Sequence, residues 1–244
     1  MSDDADAFDN NGLNDALINA LVRDSFQQEM PSFYGYLETI SEFLKAETKK
    51  HLEDIDDFKE RIKSGKIVPD DKPDEMPLEQ QYEEHINDLL NEIEEFENIL
   101  LKSFFVTIYG FLESKLMQQC RKLEKRNKDV TLSVSEIRGE GVQKAMTYLL
   151  KVQRIDFSLN NSSEWERIQN YNTLRNCIVH NEGRLDDGLK EGRDRLEKFI
   201  KRKDSSLDLD GSYIVFTQEF CKNAWKTIEE FLWLISQAET QAKE

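Results

Sequence analysis

The stretch from Tyr82 to Leu116 decides what this chain can fold into. Its apolar residues Tyr82, Ile86, Leu89, Ile93, Phe96 and Leu100 are spaced by alternating steps of 4 and 3. The pattern runs on through Phe104, Ile108, Leu112 and Leu116 to about Leu123. That is the period of a helix presenting one narrow seam to a partner. A single helix over residues 79–123 would be about 65–70 Å long at 1.5 Å per residue, longer than a compact domain of this size. The first part is therefore expected to project and the second to enter a bundle, with Gly110 as the bend.

A partner for the projecting part lies upstream. From Pro31 to about Ser64 the residues Phe33, Leu37, Ile40, Leu44, Leu52, Ile55, Phe58 and Ile62 recur at helical spacing. The connecting segment SGKIVPDDKPDEMP holds three prolines and a glycine, which end a helix and form a loop. The two patterns predict an antiparallel acidic helical hairpin, serving as a dimerisation or partner surface or simply as two more bundle helices.

Downstream, NKDVTLSVSEIRGEG is a connection and GVQKAMTYLLKVQ a short helix. Ser162 or Ser163 can cap the next helix, with Glu166 at capping-box spacing from Ser163. That helix runs to about His180 and stops at Asn181, Glu182 and Gly183. The segment KEGRDRLEKFIKRKD is helical in part, and SLDLDGSYIVFT forms a short hairpin or an extended lead-in. A last helix, EFCKNAWKTIEEFLWLISQ, aligns Phe220, Ala224, Ile228, Phe231, Leu232 and Ile235 on one face. With ten glycines and four prolines, long regular segments are favoured over a many-turned β-fold. The expected class is all-α: an antiparallel helical bundle over residues 101–239, an acidic helical hairpin extension over 13–100, and a disordered acidic tail over 1–12.

Charge narrows the chemistry. The net charge is −16, yet residues 1–100 alone carry 27 acidic and 9 basic residues, so the remainder is close to neutral. Repulsion keeps nucleic acid from the acidic part and assigns any phosphate chemistry to the rest. Two mostly basic stretches, RKLEKRNK at 121–128 and EGRDRLEKFIKRK at 191–203, could guide RNA or be solvated helix faces. There is no apolar run of about 18 residues, so no membrane partner is expected. The first residues lack the order of a signal peptide, and the three cysteines show no CxxC pair. A reduced, cytoplasmic protein follows. His51 and His85 sit in the acidic hairpin and suggest no metal site. No phosphate-binding glycine loop, HExxH or GxSxG is present, and no cofactor is expected.

Residues 174–183 read LRNCIVHNEG and hold the chemistry-bearing group Arg175, Asn176 and His180. With Leu174 placed at 0° on a helix, the apolar face centres near about 60°, Arg175 falls at about 100°, Asn176 at about 200° and His180 at about 240°. An unbroken helix thus turns Arg175 and His180 about 140° apart. They meet only if the last turn unwinds at Asn181–Gly183 or a second subunit completes the site. The residue types suit phosphodiester cleavage: imidazole moves protons at neutral pH, and guanidinium stabilises charge developing on phosphorus. A cation in the last turn of a helix is also favoured by the helix dipole alone.

The run Arg175-Asn176-Cys177-Ile178-Val179-His180 resembles the signature of the HEPN superfamily (higher eukaryotes and prokaryotes nucleotide-binding), an Arg with a polar neighbour and a His a few residues on. The resemblance covers about residues 100–238, with TIYGFLESKLMQQCRKL upstream, the motif helix and the apolar last helix. It implies a HEPN-like bundle and a metal-independent endoribonuclease, a toxin or defence effector, working as a homodimer whose two motifs share one cleft. His180 would assist attack of the ribose 2′-hydroxyl on the adjacent phosphate. Arg175 would stabilise the pentavalent state and Asn176 the geometry, leaving 2′,3′-cyclic phosphate and 5′-hydroxyl ends. Glu113, in FLESKL, matches a polar residue that often accompanies the motif, although an exposed helix carboxylate reads the same way. Partners would be RNA, a second copy, and an antitoxin or other protein. Glu182 stands where family toxins paired with nucleotidyltransferases carry Tyr, so control through that Tyr is not implied. The alternatives are a non-catalytic HEPN bundle acting as an interaction module, or a nucleotide-binding bundle in which Arg175 holds a phosphate.

Overall fold

The computed structural model describes residues 10–66, 77–155, 157–185 and 192–241. Among them the chain forms α1 (Asn10–Lys63), α2 (Leu78–Arg126), α3 (Gly141–Thr147), α4 (Ser163–Asn181), α5 (Arg193–Ile200), strands β1 (Asp208–Asp210) and β2 (Tyr213–Val215), and α6 (Gln218–Gln241). The class is all-α apart from that antiparallel ribbon, which pairs Asp208 with Val215 and Asp210 with Tyr213. No helix among the described residues is long and apolar enough to cross a membrane.

The two long helices pair antiparallel. Near the loop end Phe58 stacks on Tyr82 at 3.7 Å between ring centroids, and Lys59 meets Glu83 at 2.7 Å. Far along both helices, Phe33 packs edge-on against Phe104 and Phe111. The remaining helices extend the up-and-down order. Tyr171 of α4 packs edge-on against Phe105 of α2 and Phe220 of α6, while nearer the start of α4 Trp165 stacks on Phe231. Ser41 donates to Gln218 Oε1 at 2.8 Å and Phe33 meets Trp225, which ties α1 to α6. The core is the shared interior of α1, α2, α4 and α6, centred on Phe105, Ile108, Leu112, Ile168 and Ile228.

Several sequence expectations needed correction. The first helix begins at Asn10, 21 residues ahead of Pro31, and its backbone stays helical through the proline, which lacks the N–H that would continue the ladder at that point. Residues 1–9 of the expected disordered tail lie outside the described residues, but 10–12 belong to α1. No break occurs at Gly110. α2 is one helix of 49 residues, about 73 Å long, and it runs through residue 100, where the projecting part was expected to give way to the bundle. The loop between the long helices opens after Lys63 and closes at Pro77; residues 67–76 of it are outside the described set.

Ser162, not Ser163, caps α4: its Oγ accepts from the Trp165 amide at 3.0 Å. Glu166 is thereby moved out of the capping-box position, and its carboxylate pairs with Arg202 instead. The short helix over GVQKAMTYLLKVQ ends in a π-helical turn, Tyr148–Val152.

Ile108 is fully buried where α2 crosses the core. Ile108→Ala should therefore cost about 2–5 kcal/mol, and Ser162→Ala, which removes only the cap, about 1 kcal/mol. Urea unfolding of the two variants checks both values and their order.

Candidate functional site

The site is built on α4. Its buried face is Trp165, Ile168, Tyr171, Leu174 and Cys177, and the opposite face leaves Asn176, Val179 and His180 exposed. This is the arrangement the periodicity predicts. Glu182, the residue after the helix, adopts a left-handed conformation at φ 56°, and its amide returns to the Cys177 carbonyl. The Gly183 amide reaches the same carbonyl at 3.1 Å. Gly183 itself sits at φ 81°, and a Cβ there would press on Lys102, so glycine is the residue that fits.

The end of α4 is clamped from two sides. Lys102 of α2 donates to the Glu182 carbonyl at 3.3 Å, bringing a cation to the negative end of the helix dipole. Burial pushes the Lys102 ammonium below its ordinary value, with Cys177, Glu182 and Glu95 opposing the shift. On the other side the Ile214 amide donates to the Gly183 carbonyl at 2.9 Å and the Leu185 amide to Ser212 at 2.8 Å. The Arg184 guanidinium lies 5.2 Å from the centre of the Tyr213 ring. The ribbon thus fixes the segment that carries His180.

Of the four residues singled out from the sequence, three are drawn together. Arg175 Nη1 donates to Asn176 Oδ1 at 3.0 Å. Glu113 of α2 is half-buried, and burial raises its carboxyl above the ordinary range while the nearby Arg175 charge lowers it. A Cβ on Gly141, which sits at φ 52°, would overlap the Glu113 carboxylate, so α3 begins hard against this group. His180 is not part of the cluster. α4 is unbroken to Asn181, so the last turn does not unwind, and within one chain Arg175 and His180 stay on different faces.

Sequence reasoning missed Tyr109 and Asn172. The Tyr109 hydroxyl donates to Asn172 Oδ1 at 3.0 Å across α2 and α4. Burial, then Glu113, push the phenol well above its usual value, while Arg175 pulls it down. Both could have been found: Tyr109 precedes Glu113 by four residues and Asn172 precedes Arg175 by three, the spacing of one helix face. Lys102 carries no comparable local signal.

The two basic stretches differ. Arg121, Lys122, Lys125 and Arg126 are exposed at the end of α2. In the second stretch Arg195 bonds Asn170 and Gln169, which holds α5 against α4, and Arg202 bonds Glu166 and Asp204, which fixes the turn after α5 to the start of α4. Among the described residues no three His, Cys, Asp or Glu side chains converge where a metal ion could be shared. Beside the site an open groove of about 1030 Å³ runs between α2, the end of α4 and the ribbon, lined by Ile99, Lys102, Val106, Ile178, Glu182 and Tyr213 among others.

Comparison with protein-family models, curated proteins and solved structures finds no match to this chain. Its functional reading rests on the residues and their geometry.

The raised Glu113 carboxyl has a measurable consequence. A carboxyl whose folded value lies above its unfolded value adds stability at low pH, and that contribution is lost as pH rises through the folded value. Glu113→Gln keeps the neutral form at every pH. The variant should gain stability relative to the parent as pH rises from the ordinary value of 4.5 toward neutrality, read from melting temperatures across that range.

Proposed function

We propose that the protein is a metal-independent endoribonuclease of HEPN type that works as a homodimer. One observation carries the reading. The Arg175-Asn176 pair and the half-buried Glu113 form a charged cluster beside the exposed, firmly held end of the helix that bears His180. A guanidinium already flanked by a carboxylate and an amide is positioned as a rigid donor rather than a mobile surface charge. His180 is left facing outward with its position set by the ribbon and Lys102.

The chemistry is transphosphorylation. His180 takes the proton of the ribose 2′-hydroxyl as that oxygen attacks the adjacent phosphorus. Arg175 binds the non-bridging oxygens and stabilises the added negative charge of the pentavalent state. The bond from phosphorus to O5′ breaks and the departing oxygen takes up a proton, returned by the protonated His180 through solvent, leaving a 2′,3′-cyclic phosphate on one fragment and a 5′-hydroxyl on the other. Asn176 holds the guanidinium through its Oδ1, and Glu113 keeps it from the alternative of a solvated rotamer. Because Arg175 and His180 diverge within one chain, the site is complete only when a second copy supplies the missing member. A toxin or defence effector is the biological setting that such an activity fits.

Incubation with mixed RNA in EDTA should give fragments with cyclic-phosphate ends. Arg175→Ala and His180→Ala should each reduce the rate by at least about 100-fold without changing the fold or the mass in solution. Intact RNA, or equal cleavage by all three proteins, would sink the ribonuclease reading. Thermal stabilisation by nucleotides but not by RNA would favour a nucleotide-binding bundle.

A further inference from the structure

The outward face of α2 has a composition that its surroundings do not explain. Opposite the buried Leu101, Phe105, Ile108 and Leu112 lie Phe96, Ile99, Ser103, Val106, Thr107, Gly110, Ser114 and Met117, of which Val106 is half-buried and Met117 is partly packed against the core. These fall within an arc of about 100° at 100° per residue and cover about 32 Å of helix. A third of the chain is charged, yet this stripe holds no charged residue. Ile99 is 52% exposed and Phe96 47%. The two central hydroxyls are turned back into their own helix, Ser103 Oγ donating to the Ile99 carbonyl at 2.9 Å and Thr107 Oγ1 to the Ser103 carbonyl at 2.8 Å. Covering the stripe would strand neither donor. At Gly110 a Cβ would meet nothing within 4 Å, so another backbone can come close.

The ends of the same arc carry opposite charge. Toward the start of α2 it continues as Asp88 and Glu92, toward the finish as Arg121 and Lys125, all exposed, with the half-buried Glu124 at the arc's edge beside them. From Leu78 to Glu97 the helix has eight acidic residues and no lysine or arginine. A helix that is acidic at one end, neutral in the middle and basic at the other is complementary to itself when the copy runs antiparallel.

We infer that a second copy of this chain docks on the stripe, α2 against α2 antiparallel, with the two-fold axis between Val106 and Thr107. In that register Phe96 faces Met117 of the partner subunit, Ser103 faces the partner's Gly110, and Glu92 and Asp88 face the partner's Arg121 and the partner's Lys125. The small residues flank the axis, where the helices approach most closely, and the large ones lie outside them.

Symmetry then links the joint to the site, a step that rests on the ribonuclease reading. A two-fold relating face-to-face antiparallel helices lies in the joint, perpendicular to both. Anything on one flank of the helix stays on that side in the copy. α4 lies on one flank of α2, touching Lys102 and Tyr109, and α1 on the other, touching Phe104 and Phe111. Both copies of α4 therefore fall on one side of the joint, together with both grooves beside Ile99 and Val106. The ends of the two hairpins that carry Phe58 and Tyr82 point away to opposite ends.

The test uses the full chain. Light scattering should give a dimer for the parent and a monomer for Gly110→Arg, whose helical content and melting at low concentration should match the parent's. Glu92→Lys and Arg121→Glu should each weaken association by at least about tenfold, and the two together in one chain should restore it, because the contact is rebuilt with signs exchanged. Register is read by a short bismaleimide, since the native Cys120, Cys177 and Cys221 are buried. Thr107→Cys should cross-link, whereas Ser114→Cys, about 22 Å from its copy along the axis, should not. A monomeric parent, a dimeric Gly110→Arg, or equal cross-linking at both positions overturns the joint. Gly110→Arg should also lose RNA cleavage; full cleavage by that monomer overturns the link to the site. A dimer of the stated register that cleaves no RNA leaves the joint standing and removes only the ribonuclease reading.

Discussion

An α-helix can hide only the surface that other elements reach, and apart from α1 nothing packed on α2 matches its length. At about 73 Å it outruns the 19 residues of α4 and the 24 of α6. Only the stretch from Leu101 to Cys120, in its second half, has a face buried on several sides. Nearer its start α2 has α1 as its main companion, and the two are joined by isolated contacts such as the stacked Phe58 and Tyr82 rather than a continuous core. That difference explains the charge distribution. Where one helix covers another along a narrow seam, the remaining surface is wet and carries carboxylates. Where four helices meet, the seam widens into the aromatic interior around Phe105, Tyr171 and Phe220.

The same helix organises the polar chemistry. Tyr109 and Glu113 leave the core face of α2 at its edge, one turn apart, and meet Asn172 and Arg175 leaving the edge of α4. A carboxylate half-removed from water is costly without a compensating charge, and a guanidinium in the same place is costly without an acceptor. Each therefore limits where the other can go. Two turns before Tyr109 on that flank, Lys102 occupies the end of α4 and leaves no room for a side chain at Gly183. The catalytic reading depends on this: the helix end that carries His180 is held by a cation, a left-handed turn and a ribbon, all remote from the imidazole.

How far the sequence could be read follows from which interactions are local. The α2 seam, the apolar face of α6, the stop at Glu182–Gly183 and the turn at Gly211 are encoded within a few residues of where they act, and all could be read. Glu166 was misread because two serines compete for one cap. Ser162 won, and Glu166 instead found Arg202, 36 residues away. Pro31 offered a plausible helix start, since a missing N–H is harmless in a first turn, yet α1 runs through it from Asn10. At the site, the 140° divergence of Arg175 and His180 was computable from spacing, whereas the approach of Glu113 to Arg175 needed the packing of two helices 62 residues apart. Gly110 was expected to bend α2 and instead lies on its open face.

A chain with a net charge of −16 would seem poorly suited to self-association, since like charges repel and the compact dimer carries twice the load. Placement decides otherwise. The excess negative charge lies in the first 100 residues, and the bundle that follows is nearly neutral. If two copies join through antiparallel α2 helices, Asp88 of one and the partner's Asp88 are separated by 37 residues of rise, about 55 Å. The Debye length at physiological salt is about 8 Å, so the two acidic arms hardly sense each other. The charges that do come close are those of opposite sign at the ends of the stripe, and lowering the salt strengthens that attraction more than it revives the repulsion. A parallel pairing would set both acidic arms side by side. Electrostatics thus disfavours one orientation and leaves the other, the one that also brings both copies of α4 to the same side.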